Sequence, residues 1–77
     1  MCDPASMNGG DFIKRIRRLG QDRGVPVHFD ESHGKGSHGR LHFGLRVTTV
    51  KDRRKDLSKG LLRTMLAQLG LSVDDIR

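Results

Sequence analysis

The chain has 77 residues, a net charge of +6, one cysteine, ten glycines, and neither tryptophan nor tyrosine. That length supports one small domain resting on a few well-buried Leu, Ile, Val and Phe side chains, and Cys2 has no second cysteine with which to close an intrachain disulfide. A lone thiol fits a reducing compartment, and no apolar run reaches the length of a membrane span or signal-peptide core, so the expected setting is cytoplasmic, with no membrane partner.

Residues 1–7 show no periodicity and are expected to form a disordered lead-in to a single domain over 8–77. Asn8-Gly9-Gly10-Asp11 has the form of a helix cap followed three positions later by an acid, and Phe12, Ile13, Ile16 and Leu19 recur at helical spacing. Lys14, Arg15, Arg17 and Arg18 take the opposite face, and Gly20 is the expected end of this helix. Val25, Val27 and Phe29 then alternate with Pro26, His28 and Asp30, the period of a strand with one buried face, and Pro26 assigns it to a sheet edge or to its own start.

The run Gly34-Lys35-Gly36-Ser37-His38-Gly39-Arg40 is too rich in glycine for a helix and reads as a loop running into a second strand, in which Leu41 and Phe43 alternate with Arg40 and His42. A third strand runs from about Arg46 to Val50. Two turns compete for the connection. A two-residue turn at Gly44-Leu45 sets Phe43 opposite Arg46, whereas a three-residue loop sets Phe43 opposite Val47 and Leu41 opposite Thr49. The second pairs apolar with apolar and is the expected one, leaving His28, Asp30, Arg40, His42 and Thr48 on the open side of the sheet.

Lys51-Asp52-Arg53-Arg54-Lys55 is a basic connector, after which Asp56 or Ser58 can cap a second helix. Leu57, Leu61, Leu62, Met65, Leu66 and Leu69 form its apolar stripe, Gly60 suits a helix only if something approaches closely, and Gly70-Leu71 reads as a C-terminal cap. Ser72-Val73-Asp74-Asp75 can cap one more turn.

Residues 35–63 hold nine Lys or Arg against two Asp, a local +7 that exceeds the charge of the whole chain. One contiguous block over strands and a helix start points to a shaped phosphate-binding face, with Lys35, Ser37, Arg40, Lys51, Arg53, Arg54, Lys55 and Lys59 as its candidate contacts. His38 sits among them as a titratable group able to move a proton. RNA supplies its own nucleophile, the 2′-hydroxyl. His38 can accept that proton, neighbouring cations keep the imidazole neutral, and Lys35, Arg40 or Lys59 can stabilise charge on the phosphate. His33 is a candidate donor to the leaving oxygen; water can serve instead. Asp30, Glu31 and His33 are the only close set of possible metal ligands and have no second carboxylate cluster beside them, so the expectation is a site without metal or cofactor. The three phenylalanines fall on core faces, which removes the stacking platforms of single-strand readers.

The order helix, strand, strand, strand, helix, with one apolar stripe on each helix, predicts an α+β fold: a three-stranded antiparallel sheet with both helices on one face, like the double-stranded-RNA-binding domain. Gly36-Ser37-His38, Thr48-Thr49-Val50, Lys55-Asp56-Leu57 and Gly60-Leu61-Leu62-Arg63 leading to Leu66-Ala67-Gln68-Leu69-Gly70-Leu71 resemble the HicA toxins of bacterial type II toxin-antitoxin systems. The resemblance implies a ribosome-independent mRNA interferase, an endoribonuclease with His38 as its catalytic residue, held inactive by a HicB-type antitoxin. Many members carry a second histidine where this chain has Gly39, and a Pro-His segment where it has Lys51-Asp52-Arg53. The alternative reading is a noncatalytic double-stranded-RNA-binding module. DNA binding by this chain alone is not expected.

Overall fold

The computed structural model describes residues 7–31, 39–51 and 54–76. They form helix α1 (Gly9–Arg23), strands β1 (Val27–Glu31), β2 (Gly39–Phe43) and β3 (Arg46–Val50), helix α2 (Lys59–Gln68) and a last 3₁₀ turn, Val73–Ile76. The strands pair antiparallel in the order β1-β2-β3, so the layout is α-β-β-β-α, as the hydrophobic patterning predicts. No helix among the described residues is long and apolar enough to cross a membrane.

Burial separates the two faces of the sheet. Leu41, Phe43, Thr48 and Val50 are buried, whereas His28, Asp30, Arg40, Val47 and Thr49 are exposed. Both helices lie on the first face: Phe12, Ile13 and Ile16 of α1 join Leu62, Met65 and Leu66 of α2 in one core with Leu41, Phe43 and Val50. The helices supply the apolar layer that a three-stranded sheet needs to be stable.

The helix caps follow local chemistry. The Asn8 side chain accepts from the Asp11 N–H at 2.8 Å, and the Ser58 hydroxyl, rather than Asp56, accepts from the Leu61 N–H at 3.1 Å. Gly70, at φ 74°, ends α2 with the bonds Gly70 N–H to Ala67 C=O and Leu71 N–H to Leu66 C=O, the expected glycine cap. In α1 the end differs from the expectation. The helix passes Gly20 and stops at Gly24, where φ is 68°. Gly20 instead marks a close approach: a Cβ on it would lie 2.3 Å from Val27 Cγ2 and 2.7 Å from the Val25 carbonyl oxygen, so only glycine lets α1 come this near β1.

Gly60 has the opposite character. A Cβ there meets nothing within 4 Å, so no close neighbour among the described residues requires the glycine. Gly60→Ala is expected to raise stability by about 0.5–1 kcal/mol, chiefly by narrowing the unfolded ensemble. Urea unfolding measures this, and a lower midpoint would mean that something occupies the space.

The β2–β3 register also departs from the expectation. Phe43 pairs with Arg46, Leu41 with Thr48 and Gly39 with Val50. The connection is therefore the two-residue turn Gly44-Leu45, with φ 62° at Gly44, as the first central position of a type II′ turn requires. Thr48 accordingly faces the core instead of the open side, where its hydroxyl donates to the Gln68 side-chain oxygen, and Val47 takes the open side, 43% exposed.

Met7 likewise belongs to the fold rather than to the lead-in. It is buried, its carbonyl accepts from the Leu57 N–H at 2.8 Å, the Gly9 N–H donates to Lys55 C=O, and Asn8 bridges to Asp56. The start of α1 thus straps the chain that leads into α2.

At the other end of the helices, Arg15 donates to the Ile76 carbonyl at 2.8 Å and Arg23 to Asp75 at 2.6 Å. The bond from the Ser72 N–H, followed by Arg23, holds the Asp75 carboxyl below the usual carboxylate range. Because the folded value is the lower one, this contribution is present above the ordinary carboxylate pKa and is lost as pH falls through the lowered value. On acid titration the NMR signals of Val73–Ile76 are therefore expected to change at a lower pH than an ordinary carboxylate titrates. Asp75→Asn should abolish that late phase; its persistence would assign it to another carboxylate.

Candidate nucleic-acid interface

One end of the sheet collects the candidate residues. Glu31, Gly39 and Val50 form its last rung, so the chain enters β2 and leaves β3 side by side. The α1 start is tied to Lys55 at this end by the Gly9 bond. The opposite ends of both helices lie by the hairpin, where Gly20 approaches Val27 and Gly70 approaches Arg46. Both helices therefore point their N-termini toward the Gly39–Val50 rung.

From that rung an exposed basic path leads out. Lys51 follows Val50, Arg54 and Lys55 continue it, and Lys59 opens α2, all four exposed. Its backbone is held by the bonds from Gly9 and Leu57, so Lys55 is carried on a segment pinned to the core. In sequence Asp52 follows Lys51 and Asp56 follows Lys55, and α2 has no acid in its first turn. Arg63, exposed one turn after Lys59, extends the path; it belongs to the basic block of the sequence, and its spacing of four from Lys59 is the signal that adds it to the site.

Arg40 stands apart from this path. It is exposed on the open face, opposite Asp30 on one side and Thr49 on the other, while Lys59 opens a helix on the covered face. Two arms of positive charge thus flank the start of β2, one on each side of the sheet. His28 and His42 are register partners on the open face, their ring centroids 6.1 Å apart and tilted by 31°.

Of the α1 cations, Lys14, Arg17 and Arg18 are exposed, whereas Arg15 is committed to Ile76. His33, Lys35, Ser37, His38 and Arg53 lie outside the described residues. The residue after His38 is nevertheless informative. Gly39 is buried, and a Cβ there would lie 2.3 Å from Phe29 Cζ and 2.9 Å from the Asp30 carbonyl oxygen. A backbone oxygen cannot swing aside as a side-chain tip can, so a histidine at 39 would force β1 and β2 apart. Glycine at 39 thus goes with the packing of Phe29.

No protein-family model, curated protein or solved structure matches this chain.

Proposed function

We propose that the chain is an RNA-cleaving toxin of the HicA type: a metal-independent, ribosome-independent endoribonuclease acting in the cytoplasm on mRNA and neutralised by a HicB-type antitoxin. The observation that carries the reading is the meeting, at one end of the sheet, of the strand that continues from Gly36-Ser37-His38 with the exposed cations Lys51, Arg54, Lys55 and Lys59. Charge of this kind binds phosphate without regard to sequence. One peptide bond separates His38 from Gly39.

In the proposed reaction His38 removes the proton of a ribose 2′-hydroxyl, whose oxygen attacks the adjacent phosphorus. The bond from phosphorus to the 5′ oxygen breaks, and that oxygen takes a proton from the imidazolium or from water. The products are a 2′,3′-cyclic phosphate and a 5′-hydroxyl. Lys35, Arg40 and Lys59 are the groups assigned to the charge that develops on the phosphate, with Ser37, Lys51, Arg53, Arg54 and Lys55 holding the strand.

The test pairs an RNA with the same RNA carrying a 2′-deoxy sugar at the cleaved position. The purified chain is expected to cut the first into cyclic-phosphate ends and to leave that position intact in the second. Cleavage of the 2′-deoxy bond would overturn the mechanism. RNA binding without cleavage would return the chain to the noncatalytic double-stranded-RNA-binding class.

A further inference from the structure

The two edges of the sheet are unequal. The β1 edge carries Pro26, His28, Asp30 and Glu31, the charges and proline that discourage strand addition. The β3 edge carries Val47-Thr48-Thr49-Val50, with no charge or proline among them, and among the described residues β3 has a strand on one side only. In a two-residue hairpin the residues flanking the turn exchange both bonds. Phe43 and Arg46, Leu41 and Thr48, and Gly39 and Val50 are then the bonded pairs, and the bond from the Gly44 N–H to Pro26 C=O fits the same alternation. The N–H and C=O groups of Val47 and Thr49 point away from the sheet.

Two further features bear on what fills this edge. Of the three exposed large hydrophobic residues in the described chain, Leu45 and Val47 lie on β3 or its hairpin, Leu45 fully exposed at the tip. The exit of β3 is cationic through Lys51 and Lys55, and Arg46 starts the strand with its side chain against Gly70. Antiparallel pairing of two copies would set the Arg46 end of each strand against the Lys51 end of the other, two cationic ends on chains that each carry +6, so net repulsion opposes it. A second copy is the wrong occupant.

We propose that the β3 edge, through the outward backbone groups of Val47 and Thr49, binds an extended strand of a partner protein that carries carboxylates at the end meeting Lys51. Main-chain bonds hold the strand, Val47 gives it an apolar contact on the open face, and the charges set its direction. The inference does not depend on RNA cleavage.

The probe is a short synthetic peptide of alternating threonine and valine with glutamates at one end, compared with a second bearing lysines in their place. In the free protein the amides of Val47 and Thr49 are expected to exchange with solvent rapidly while those of Thr48 and Val50 are protected. The acidic peptide should slow exchange at Val47 and Thr49 by tenfold or more, and the lysine peptide should not. Thr49→Pro removes only an outward donor, so it should abolish peptide binding while keeping the circular dichroism of the parent; Lys51→Glu, which leaves the backbone untouched, should reverse the preference between peptides. Equal binding of both peptides, unchanged binding by a folded Thr49→Pro protein, or slow exchange at Val47 and Thr49 that grows with protein concentration in the absence of peptide would each overturn the proposal.

Discussion

Replacing His38 with alanine is expected to lower RNA cleavage by about 10²–10⁴-fold, the usual contribution of one positioned acid or base. RNA affinity should change little, because the proposed phosphate contacts are the exposed Lys51, Arg54, Lys55 and Lys59 rather than the imidazole. Changing Lys51 and Lys55 to alanine should do the reverse, weakening binding and flattening its salt dependence while cleavage of bound RNA persists. The two variants thus separate chemistry from attachment, and single-turnover cleavage beside an affinity titration reads both. Growth arrest on expression should follow the first quantity and vanish with His38. If His38→Ala still severs transcripts at the parental rate, the imidazole is not the catalyst and the nuclease must use other groups. If it loses affinity and cleavage in the same proportion, His38 is a binding contact. The chain would then be an RNA-binding module whose cleavage has another origin.

What could be read from the residues alone was what depends on near neighbours. The caps at Asn8, Ser58 and Gly70 involve bonds spanning five residues or fewer, and each is visible as a short pattern. The strands and both apolar stripes were visible for the same reason. The β2–β3 register differs from the expected one because turn chemistry outweighs the matching of Phe43 with Val47: Gly-X is itself the signature of a type II′ turn. A one-residue slip exchanges the faces of the whole strand. Thr48 therefore went to the core in place of Val47, and a buried hydroxyl is tolerable there because Gln68, twenty residues on, accepts its hydrogen bond.

Gly20 shows the same limit from another side. A glycine at the end of an apolar stripe has the local form of a stop, and only the proximity of Val27 and Val25 shows it to be a contact. Met7 reaches Leu57 across fifty positions of chain, which no local pattern contains. For the candidate site, the basic connector was legible as charge. Its division into two arms, with Arg40 on the open face and the path from Lys51 to Lys59 leading to the covered one, depended on sheet register and helix placement. Arg63 was countable in the block yet unplaced until α2 put it one turn beyond Lys59.

Phe12→Ala is expected to cost about 3–5 kcal/mol, the loss of a large buried ring together with the cavity it leaves. Phe12 is fully buried near the start of α1, the helix whose first residues also strap the connector before α2. A domain of this size holds roughly 4–12 kcal/mol of total stability, so the substitution removes a large part of it. The melting temperature should fall by at least about 12 °C, since each kcal/mol moves a domain of this size by roughly 4–8 °C. Phe12→Leu, which keeps most of the volume, should fall much less, and Gly60→Ala added to Phe12→Ala should recover a small part of the loss because the two sites do not touch. Activity distinguishes this variant from His38→Ala. Cooled below its new melting point, the Phe12→Ala protein should cleave RNA at close to the parental rate per folded molecule, whereas cooling returns nothing to a chain without the imidazole. A Phe12→Ala protein melting within about 2 °C of the parent, less than half the shift that 1 kcal/mol produces in such a domain, would mean that α1 does not bury this ring. The shared core of α1, α2 and the sheet would then be wrong at its centre.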